Sequence, residues 1–447
     1  MNLDELVLAV DEGEIDTVVV AFCDMQGRLQ GKRCHARHFV DDLLVHPAEA
    51  CNYLLAVDVE MNTVGGYAMA SWEQGYGDFV LAHDLRTLRR VPWEPATAMV
   101  QCDLQWHDGA PVAASPRQVL RRQLERLAGR GLVALAGTEL ELIVFTAPYD
   151  EACRRRYHDL EPASDYNVDY AIAGTSQADH LLRRLRNEMA GAGMCVESSK
   201  GECNRGQFEV AFRYADALTT ADNHAVYKTG AKAIAAQEGM SLTFMAKFDE
   251  REGSSCHIHL SVRGDDDTAV MAGEGTSGLS PLGEQFLAGQ LATLRELTLL
   301  LAPNVNSYKR FQPDSFAPTA VVWGRDNRTC ALRLVGHGQS LRVENRVPGG
   351  DANPYLALAA VIAGGLHGIE QGLTLEPELI GDAYRADARR VPATLRDATE
   401  LFDASPVARA AFGDEVVDHY VNAARVELAA FDAAVTDWER IRSFERM

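Results

Sequence analysis

The segment Gly137-Thr138-Glu139-Leu140-Glu141 places two carboxylates at strand spacing and restricts the fold more than any other stretch. Residues two apart in a β-strand point to the same face, so Glu139 and Glu141 share a face while Leu140 points away. Aligned carboxylates in an apolar chain are costly to desolvate unless metal ions or other charges compensate them. The segment therefore predicts a sheet that carries a charged site on one face.

Three further segments repeat this spacing. His257 and His259 lie two apart, residues 342–346 read Arg-Val-Glu-Asn-Arg, and residues 202–209 begin and end with glutamate. Each pattern alone is typical of an ordinary half-exposed strand, so the interpretation depends on their combination. Together they offer five glutamates and a histidine, a donor set that suits Mg²⁺ or Mn²⁺ and not a sulfur-binding metal.

A group of arginines accompanies these carboxylates. Guanidinium groups bind carboxylate and phosphate oxygens in bidentate fashion. The alternative is a set of surface salt bridges, each worth little, but these arginines lie among apolar strand residues. Carboxylates for metals beside arginines for oxyanions favour a phosphoryl-transfer centre, although the sequence has no Walker A or GxGxxG motif. The arginines are Arg310, Arg328, Arg333, Arg342 and Arg346.

Composition excludes several classes of protein. The 447 residues are 47% hydrophobic and 24% charged, and the net charge of −21 makes nucleic acids and anionic membranes unfavourable partners. The nine cysteines never form a CxxC pair, which indicates free thiols in a reducing cytoplasm. The N-terminus has no secretion signal, so we expect a cytoplasmic protein whose partners are small molecules.

The element pattern predicts an α+β fold with a small β-rich domain at residues 1–103 and a large domain at residues 110–447. In the large domain, strands are predicted at 132–145, 207–214, 242–247, 256–263, 317–323, 330–335 and 341–347. Helices are predicted at 178–192, 217–238, 283–301, 353–370, 394–403 and 407–432.

Six ordered motifs resemble class I glutamine synthetases over nearly the whole chain. The resemblance implies an N-terminal β-grasp domain, a catalytic domain around a curved antiparallel sheet, and a double ring of twelve subunits with active sites between neighbours. The motifs are Gly137–Glu141, Glu202–Glu209, Thr243–Lys247 with Gly253–His259, Asn306–Arg310, Asn327-Arg328, and Arg342–Arg346 continuing to Asn353–Leu356.

The resemblance also assigns roles to residues. It implies two metal ions, Mg²⁺ or Mn²⁺, one held by Glu141, Glu202 and Glu209 and the other by Glu139, His257 and Glu344. It places ATP against His259, Ser261, Arg333 and Arg342, and glutamate against Gly253, Arg310 and Arg346. Arg328, Arg310 and Glu344 are the predicted catalytic residues, with Arg328 stabilising the phosphoryl group in transfer.

Two departures concern the ammonium site of that family. Phe316, in Pro313-Asp314-Ser315-Phe316, replaces the glutamate of a P-G-Y-E motif, and residues 61–66 lack the D-G-S-S motif with its aspartate. An apolar ring suits the alkyl part of an organic amine better than a hydrated ammonium ion. We therefore predict an ATP-dependent ligase that joins the glutamate γ-carboxylate to a polyamine, ethanolamine or small monoamine through γ-glutamyl phosphate, with Phe316 setting the amine specificity.

Two other functions stay open, namely a true glutamine synthetase with a rearranged ammonium site and a non-catalytic structural relative. The retention of all six metal-ligand positions speaks against the second. An organic ammonium has a pKa of about 10, so some group must take its proton, and the sequence does not decide between Glu60 and Glu73.

Overall fold

The computed structural model describes residues 1–447, except for the side chain of Thr276. Its strands form one sheet of five strands near the N-terminus and one sheet of nine strands in the rest of the chain. Helices cover both sheets and pack against each other. This arrangement confirms the predicted α+β class.

The first sheet consists of β1 Thr17–Cys23, β2 Leu29–His35, β3 Glu49–Cys51, β4 Asp78–Arg90 and β5 Thr97–Gln105. The strand order is β2-β1-β5-β4-β3, with β1 and β5 parallel and the other neighbours antiparallel. This order agrees with a β-grasp domain. Because β5 continues to Gln105, the boundary at residue 103 falls inside a strand, and the division into two domains stays a prediction.

The second sheet consists of β6 Leu132–Phe145, β7 Val196–Gly201, β8 Gln207–Phe212, β9 Ala215–Asp216, β10 Ser241–Thr243, β11 Cys256–Gly264, β12 Trp323–Arg325, β13 Leu332–Val335 and β14 Arg342–Asn345. Its main order is β12-β13-β14-β11-β6-β8-β7, while β9 and β10 also pair with β6. All pairings are antiparallel except β12 with β13. The long β6 is therefore the strand around which the sheet is organised.

The helices are α1 Leu3–Asp11, α2 Ala36–His38, α3 Pro116–Ala128, α4 Tyr149–Arg154, α5 Ile172–Thr175, α6 Asp179–Gly191, α7 Ala217–Gln237, α8 Pro281–Leu301, α9 Pro354–Gln371, α10 Leu395–Asp403, α11 Pro406–Phe412, α12 Asp414–Ala433 and α13 Asp437–Ser443. Helices α8 and α9 cross closely at Gly289 and Gly368, where a side chain on either glycine would collide with the other helix's backbone. Within the described part of the chain, none of these helices is both long and apolar enough to cross a membrane.

Three predicted elements differ from the structure. The strand expected at 242–247 is a strand only over Ser241–Thr243, where it pairs with β6. The helix expected at 407–432 is divided at Gly413, whose φ of +87° ends α11 before α12 begins. The strand expected at 317–323 forms only from Trp323 onward. Upstream, the Val321 N–H donates to the Arg389 carbonyl at 2.8 Å, so its partner is a loop and not a neighbouring strand.

A buried ion cluster joins the first sheet to the helices of the second. Arg117 on α3 is 2% exposed and binds both carboxylate oxygens of Asp222 on α7 at 2.9 Å. It also reaches Asp84 on β4 at 2.8 Å and Asp103 on β5 at 2.6 Å. The Tyr355 hydroxyl donates to Asp222 at 2.7 Å. Because Arg117 pairs with carboxylates on β4 and β5 and with one on α7, the cluster links the first sheet to the helices beside the second.

Replacing Arg117 by methionine is expected to destabilise the protein by about 3–5 kcal/mol, because three carboxylates would lose their shared partner in a buried place. Thermal unfolding monitored by circular dichroism measures the effect. The control is Arg154→Met, which removes an exposed ion pair with Asp150 and is expected to leave the melting temperature nearly unchanged. Equal melting temperatures for the two variants would contradict a structural role for the Arg117 cluster.

Candidate active site

The charged face of the second sheet is assembled by the register of its strands. Glu139 on β6 lies opposite His257 on β11, and Glu141 on β6 lies opposite Glu209 on β8. Strand β14 pairs with the other edge of β11 and contributes Glu344. Side chains of directly opposed residues lie close together, so long-range strand pairing brings these groups to one place.

The first carboxylate cluster consists of Glu141, Glu202 and Glu209, whose oxygens lie within 4.8 Å of one another. Glu202 reaches the cluster from the turn before β8. One oxygen of Glu141 accepts hydrogen bonds from the Gln207 amide at 2.9 Å and the Ser255 N–H at 2.7 Å. These two donors hold the carboxylate in a fixed orientation, and its second oxygen takes part in neither bond.

The first cluster carries more negative charge than its protein partners compensate. Glu209 is 5% exposed, and burial raises its pKa to about 8. The Lys200 ammonium, 3.9 Å away, acts to lower that pKa, while the charges of Glu139 and Glu141 act to raise it. Lys200 also pairs with Glu202. A divalent cation would relieve this repulsion.

The second cluster consists of Glu139, His257 and Glu344, whose ligand atoms also lie within 4.8 Å of one another. His257 Nδ1 is 3.5 Å from Glu139 and 3.4 Å from Glu344. Arg333 donates to one oxygen of Glu344 at 2.9 Å, and Arg346 pairs with the other. Glu344 therefore connects the cluster to the arginines.

The second cluster is held in the protonation state that metal binding requires. Burial lowers the pKa of His257, and the charge of Arg346 acts in the same direction, so the imidazole is neutral near pH 7. Burial would raise the pKa of Glu139, but hydrogen bonds with His257 and His259 hold it well below its ordinary value. The pKa of Glu344 is also lowered, since His257 and Arg346 outweigh its burial.

Two cavities meet at Glu139, which lines both. The first cavity has a volume of about 250 Å³ and contains all six cluster residues together with Gly253, Phe316, Arg328, Arg333 and Arg346. The second has a volume of about 460 Å³ and is lined by His259, Ser261 and Arg342, among others. Arg333, which was predicted on the nucleotide side, lines the first cavity, and its contact with ATP stays a prediction.

His259 and Arg342 are connected at the boundary between the cavities. Arg342 Nε donates to His259 Nδ1 at 3.1 Å, so the proton of a neutral imidazole lies on Nε2. That nitrogen is 2.9 Å from Glu139. The second cavity thus presents cationic and donor groups beside the second carboxylate cluster.

Arg310 lies behind the wall of the first cavity and is absent from its described lining. It is 2% exposed, and it donates to the carbonyls of Val347 at 2.8 Å and Arg346 at 2.9 Å. It also donates to the Ser255 hydroxyl at 3.0 Å, and burial lowers its pKa to about 10. In this structure Arg310 braces the loops beside the site, and direct contact with glutamate stays a prediction.

The structure adds cavity residues that sequence reasoning did not single out. Gln207 and Lys200 orient or partner the glutamates, and both lie close in sequence to Glu202, a signal that could have found them. Asp169, Tyr170 and Cys203 line the first cavity as well. Asp169 and Tyr170 come from a loop without regular spacing, so no pattern pointed to them. Conversely, Glu60 and Glu73 are absent from the described lining of both cavities of their own chain.

Comparison with protein families agrees with this geometry. The catalytic domain of glutamine synthetase matches residues 113–443, which include every residue of both clusters. The chain belongs to the glutamine synthetase family. Members of this family are ATP-dependent ligases that form carbon–nitrogen bonds.

Individual members of the family match this chain over nearly their whole length. The chain is 65% identical to the gamma-glutamylethanolamide synthetase of Streptomyces coelicolor over 447 residues, covering all of this chain and 96% of that one. It is 36% identical to the glutamate–isopropylamine ligase of a Pseudomonas species, covering 97% and 96% of the two chains. A solved structure of GmaS in complex with ADP superimposes with a TM-score of 0.87 at 28% identity, covering 98% and 99%.

Proposed function

We propose that the protein ligates glutamate to an organic amine at the expense of ATP. The observation that carries this proposal is the first cavity, in which two carboxylate clusters and three arginines adjoin the exposed Phe316, at the position where the family resemblance expects a glutamate. A γ-carboxylate oxygen attacks the γ-phosphorus of ATP and ADP leaves. The amine nitrogen then attacks the acyl carbon of γ-glutamyl phosphate, phosphate leaves, and the amine loses its proton.

The two clusters fit two divalent metal ions, Mg²⁺ or Mn²⁺. Carboxylate oxygens with a single neutral imidazole are the donors that these ions prefer. Glu141, Glu202 and Glu209 would hold one ion, and the second cluster, Glu139, His257 and Glu344, the other. Bound ions would neutralise phosphate charge and so stabilise the phosphoryl group in transfer.

The arginines and backbone supply the remaining charge complementarity. His259, Ser261 and Arg342 would bind ATP from the second cavity, and Arg333 would approach its phosphates from the first. Arg346 and the Gly253 backbone would bind glutamate, with Arg310 bracing Arg346 from behind. Arg328 is exposed in the cavity and has the reach of a flexible guanidinium, which suits a catalytic residue that stabilises charge in transfer.

Among the candidate amines we propose ethanolamine, because the relative with 65% identity is a gamma-glutamylethanolamide synthetase. The 65% identity to a gamma-glutamylethanolamide synthetase extends over the whole chain. Phe316 is 57% exposed at the cavity and would pack against the two methylene groups of ethanolamine. Its carbonyl accepts a hydrogen bond from Arg346 at 3.3 Å, so the specificity residue is tied to the glutamate-binding group.

A panel of amines tests the proposed function. With glutamate, ATP and Mg²⁺, we expect kcat/KM for ethanolamine to exceed that for ammonium by at least about tenfold, because the Phe316 ring can contact the methylene groups of ethanolamine and ammonium has none. ADP release and mass spectrometry of the amide measure turnover and product. A preference for ammonium over every organic amine would identify a true glutamine synthetase instead, and absence of ADP release with all amines would indicate a non-catalytic relative.

We extend the proposal to the oligomeric state and the cellular location of the protein. Helix α13 exposes Trp438, Ile441 and the following Phe444 at 66%, 75% and 88%, a run of apolar surface that another copy of the chain would cover. We infer a homo-dodecamer with active sites between subunits. All nine cysteines are unpaired thiols, which supports a cytoplasmic location.

A further inference from the structure

A short loop segment brings a carboxylate into the first cavity from outside the sheet. Val168 is fully buried against Gly201 at the end of β7, where a side chain on the glycine would collide with the Val168 backbone. The Tyr170 N–H donates to the Gly201 carbonyl at 3.4 Å. Asp169 lies between these two anchors. The backbone at Asp169 is therefore held beside the cavity, and its exposed side chain lines the cavity wall.

The Asp169 carboxylate lies close to the first cluster. Ligand atoms of Asp169, Glu202 and Cys203 are all within 4.8 Å of one another, and the Cys203 thiol donates to Asp169 at 3.5 Å. No Arg, Lys or His among the described side chains forms an ion pair with Asp169, because Lys200 pairs with Glu202 instead. A carboxylate in a substrate cavity that forms no ion pair with the protein is suited to bind a cationic substrate.

Two aromatic residues of the cavity share an unusual backbone conformation. Tyr170 has φ of +55° and Phe316 has φ of +58°, both in the left-handed region that non-glycine residues seldom adopt. Such strain concentrates at functional sites, where it sets the direction of a side chain. Their rings are 71% and 57% exposed, and both line the first cavity. The Lys200 ammonium already lies 4.9 Å from the centre of the Tyr170 ring, so Tyr170 offers apolar surface to the alkyl part of an amine, while Phe316 offers both apolar and π surface.

We propose that Asp169 binds the ammonium group of the incoming amine, with the rings of Tyr170 and Phe316 as the aromatic contacts of its alkyl part. This inference rests on the proposed function, since it names the residue that receives the amine in that reaction. The position suits the chemistry, because Glu202 belongs to the cluster beside which the γ-carboxylate of glutamate reacts. Asp169 thus replaces, from within the same chain, the anionic contacts that the family uses for ammonium.

The test compares charged and uncharged nucleophiles in the Mg²⁺-loaded enzyme carrying Asp169→Asn. We expect KM for ethanolamine to increase roughly 10- to 100-fold, because a charge-assisted hydrogen bond is lost. KM for glutamate, ATP and hydroxylamine should stay within about twofold, since hydroxylamine is largely uncharged at the assay pH. A merely structural role would shift all four constants together.

Two further variants complete the design. Asp165→Asn removes an exposed charge from the same loop outside the cavity lining, and it should leave all constants unchanged. Glu252→Gln removes the other exposed carboxylate that lines the cavity near Gly253. The proposal is overturned if Asp169→Asn leaves the ethanolamine KM unchanged, if it impairs hydroxylamine equally, or if Glu252→Gln alone produces the ethanolamine effect. Failure of the wild-type enzyme to form either γ-glutamyl product would refute the proposed function itself.

Discussion

Replacing Glu344 by glutamine is expected to lower glutamate-dependent ADP release by roughly 10²- to 10⁴-fold. The side chain is 1% exposed and contacts His257, Arg333 and Arg346. A neutral amide would remove a ligand of the second cluster and leave two guanidinium groups without their shared counter-ion. Steady-state kinetics with saturating Mg²⁺ measures the loss.

The control for that experiment is Glu376→Gln, which neutralises an exposed glutamate paired with Arg389 at 3.1 Å. We expect it to retain wild-type kinetics. Because Glu344 is buried, unfolding must be separated from loss of chemistry, so thermal melting is measured for both variants and kinetics are compared only below the lower melting temperature. A folded Glu344→Gln enzyme that keeps more than about a tenth of its activity would remove Glu344 from the catalytic centre.

Metal removal is expected to abolish activity, and the affinity for the ion should depend steeply on pH. In the metal-free protein Glu209 has a pKa of about 8, so its carboxyl is largely protonated near pH 7. A metal ion binds the ionised form, and the proton must leave. The Kd for Mn²⁺ should therefore fall about tenfold per pH unit as pH rises from about 6 to about 8, and then level off.

Isothermal titration in two buffers with different ionisation enthalpies counts the protons released on Mn²⁺ binding. The matched variant Glu209→Gln should bind Mn²⁺ more weakly and lose the pH dependence that comes from this carboxyl. The same shift has a consequence for folding. Because the folded pKa lies above that of the unfolded chain, the metal-free protein should lose stability as pH rises from about 4.5 to about 8, and metal should reverse this loss. A pH-independent Kd would contradict the assignment.

Local sequence patterns predicted the secondary structure correctly where a single strand or helix was determined by its own residues. Strand β6 occupies residues 132–145 as predicted, because the alternation at Thr138–Leu142 continues into the apolar run Leu142–Phe145, which suits a buried strand. The helix predicted at 407–432 was interrupted, since the pattern of apolar residues continues past Gly413 while the backbone does not. Periodicity reports which face is buried, and it is silent about a left-handed residue within a helical pattern.

The candidate site likewise combines residues that strand spacing predicted with residues whose position depends on long-range packing. The spacing in β6, β11 and β14 placed the glutamates and His257 on one face, and the structure brings them together in two clusters. Sequence reasoning placed Arg310 against glutamate, which stays a prediction, and the structure adds that its guanidinium donates to two backbone carbonyls and the Ser255 hydroxyl behind the cavity wall. It overlooked Asp169, whose position depends on the packing of Val168 against Gly201. Such long-range contacts leave no periodic trace.

The order of residues by itself determined the chemistry that this protein carries, namely hard metal ligands and oxyanion-binding arginines. These follow from side-chain type and alternation along single strands, which are local properties. Only the tertiary structure decided which groups meet, that Glu139 faces both cavities and that Asp169 enters the first. Those facts depend on strand register and on loop packing. Both are stabilised by contacts between residues far apart in the chain, which a short stretch of sequence does not contain.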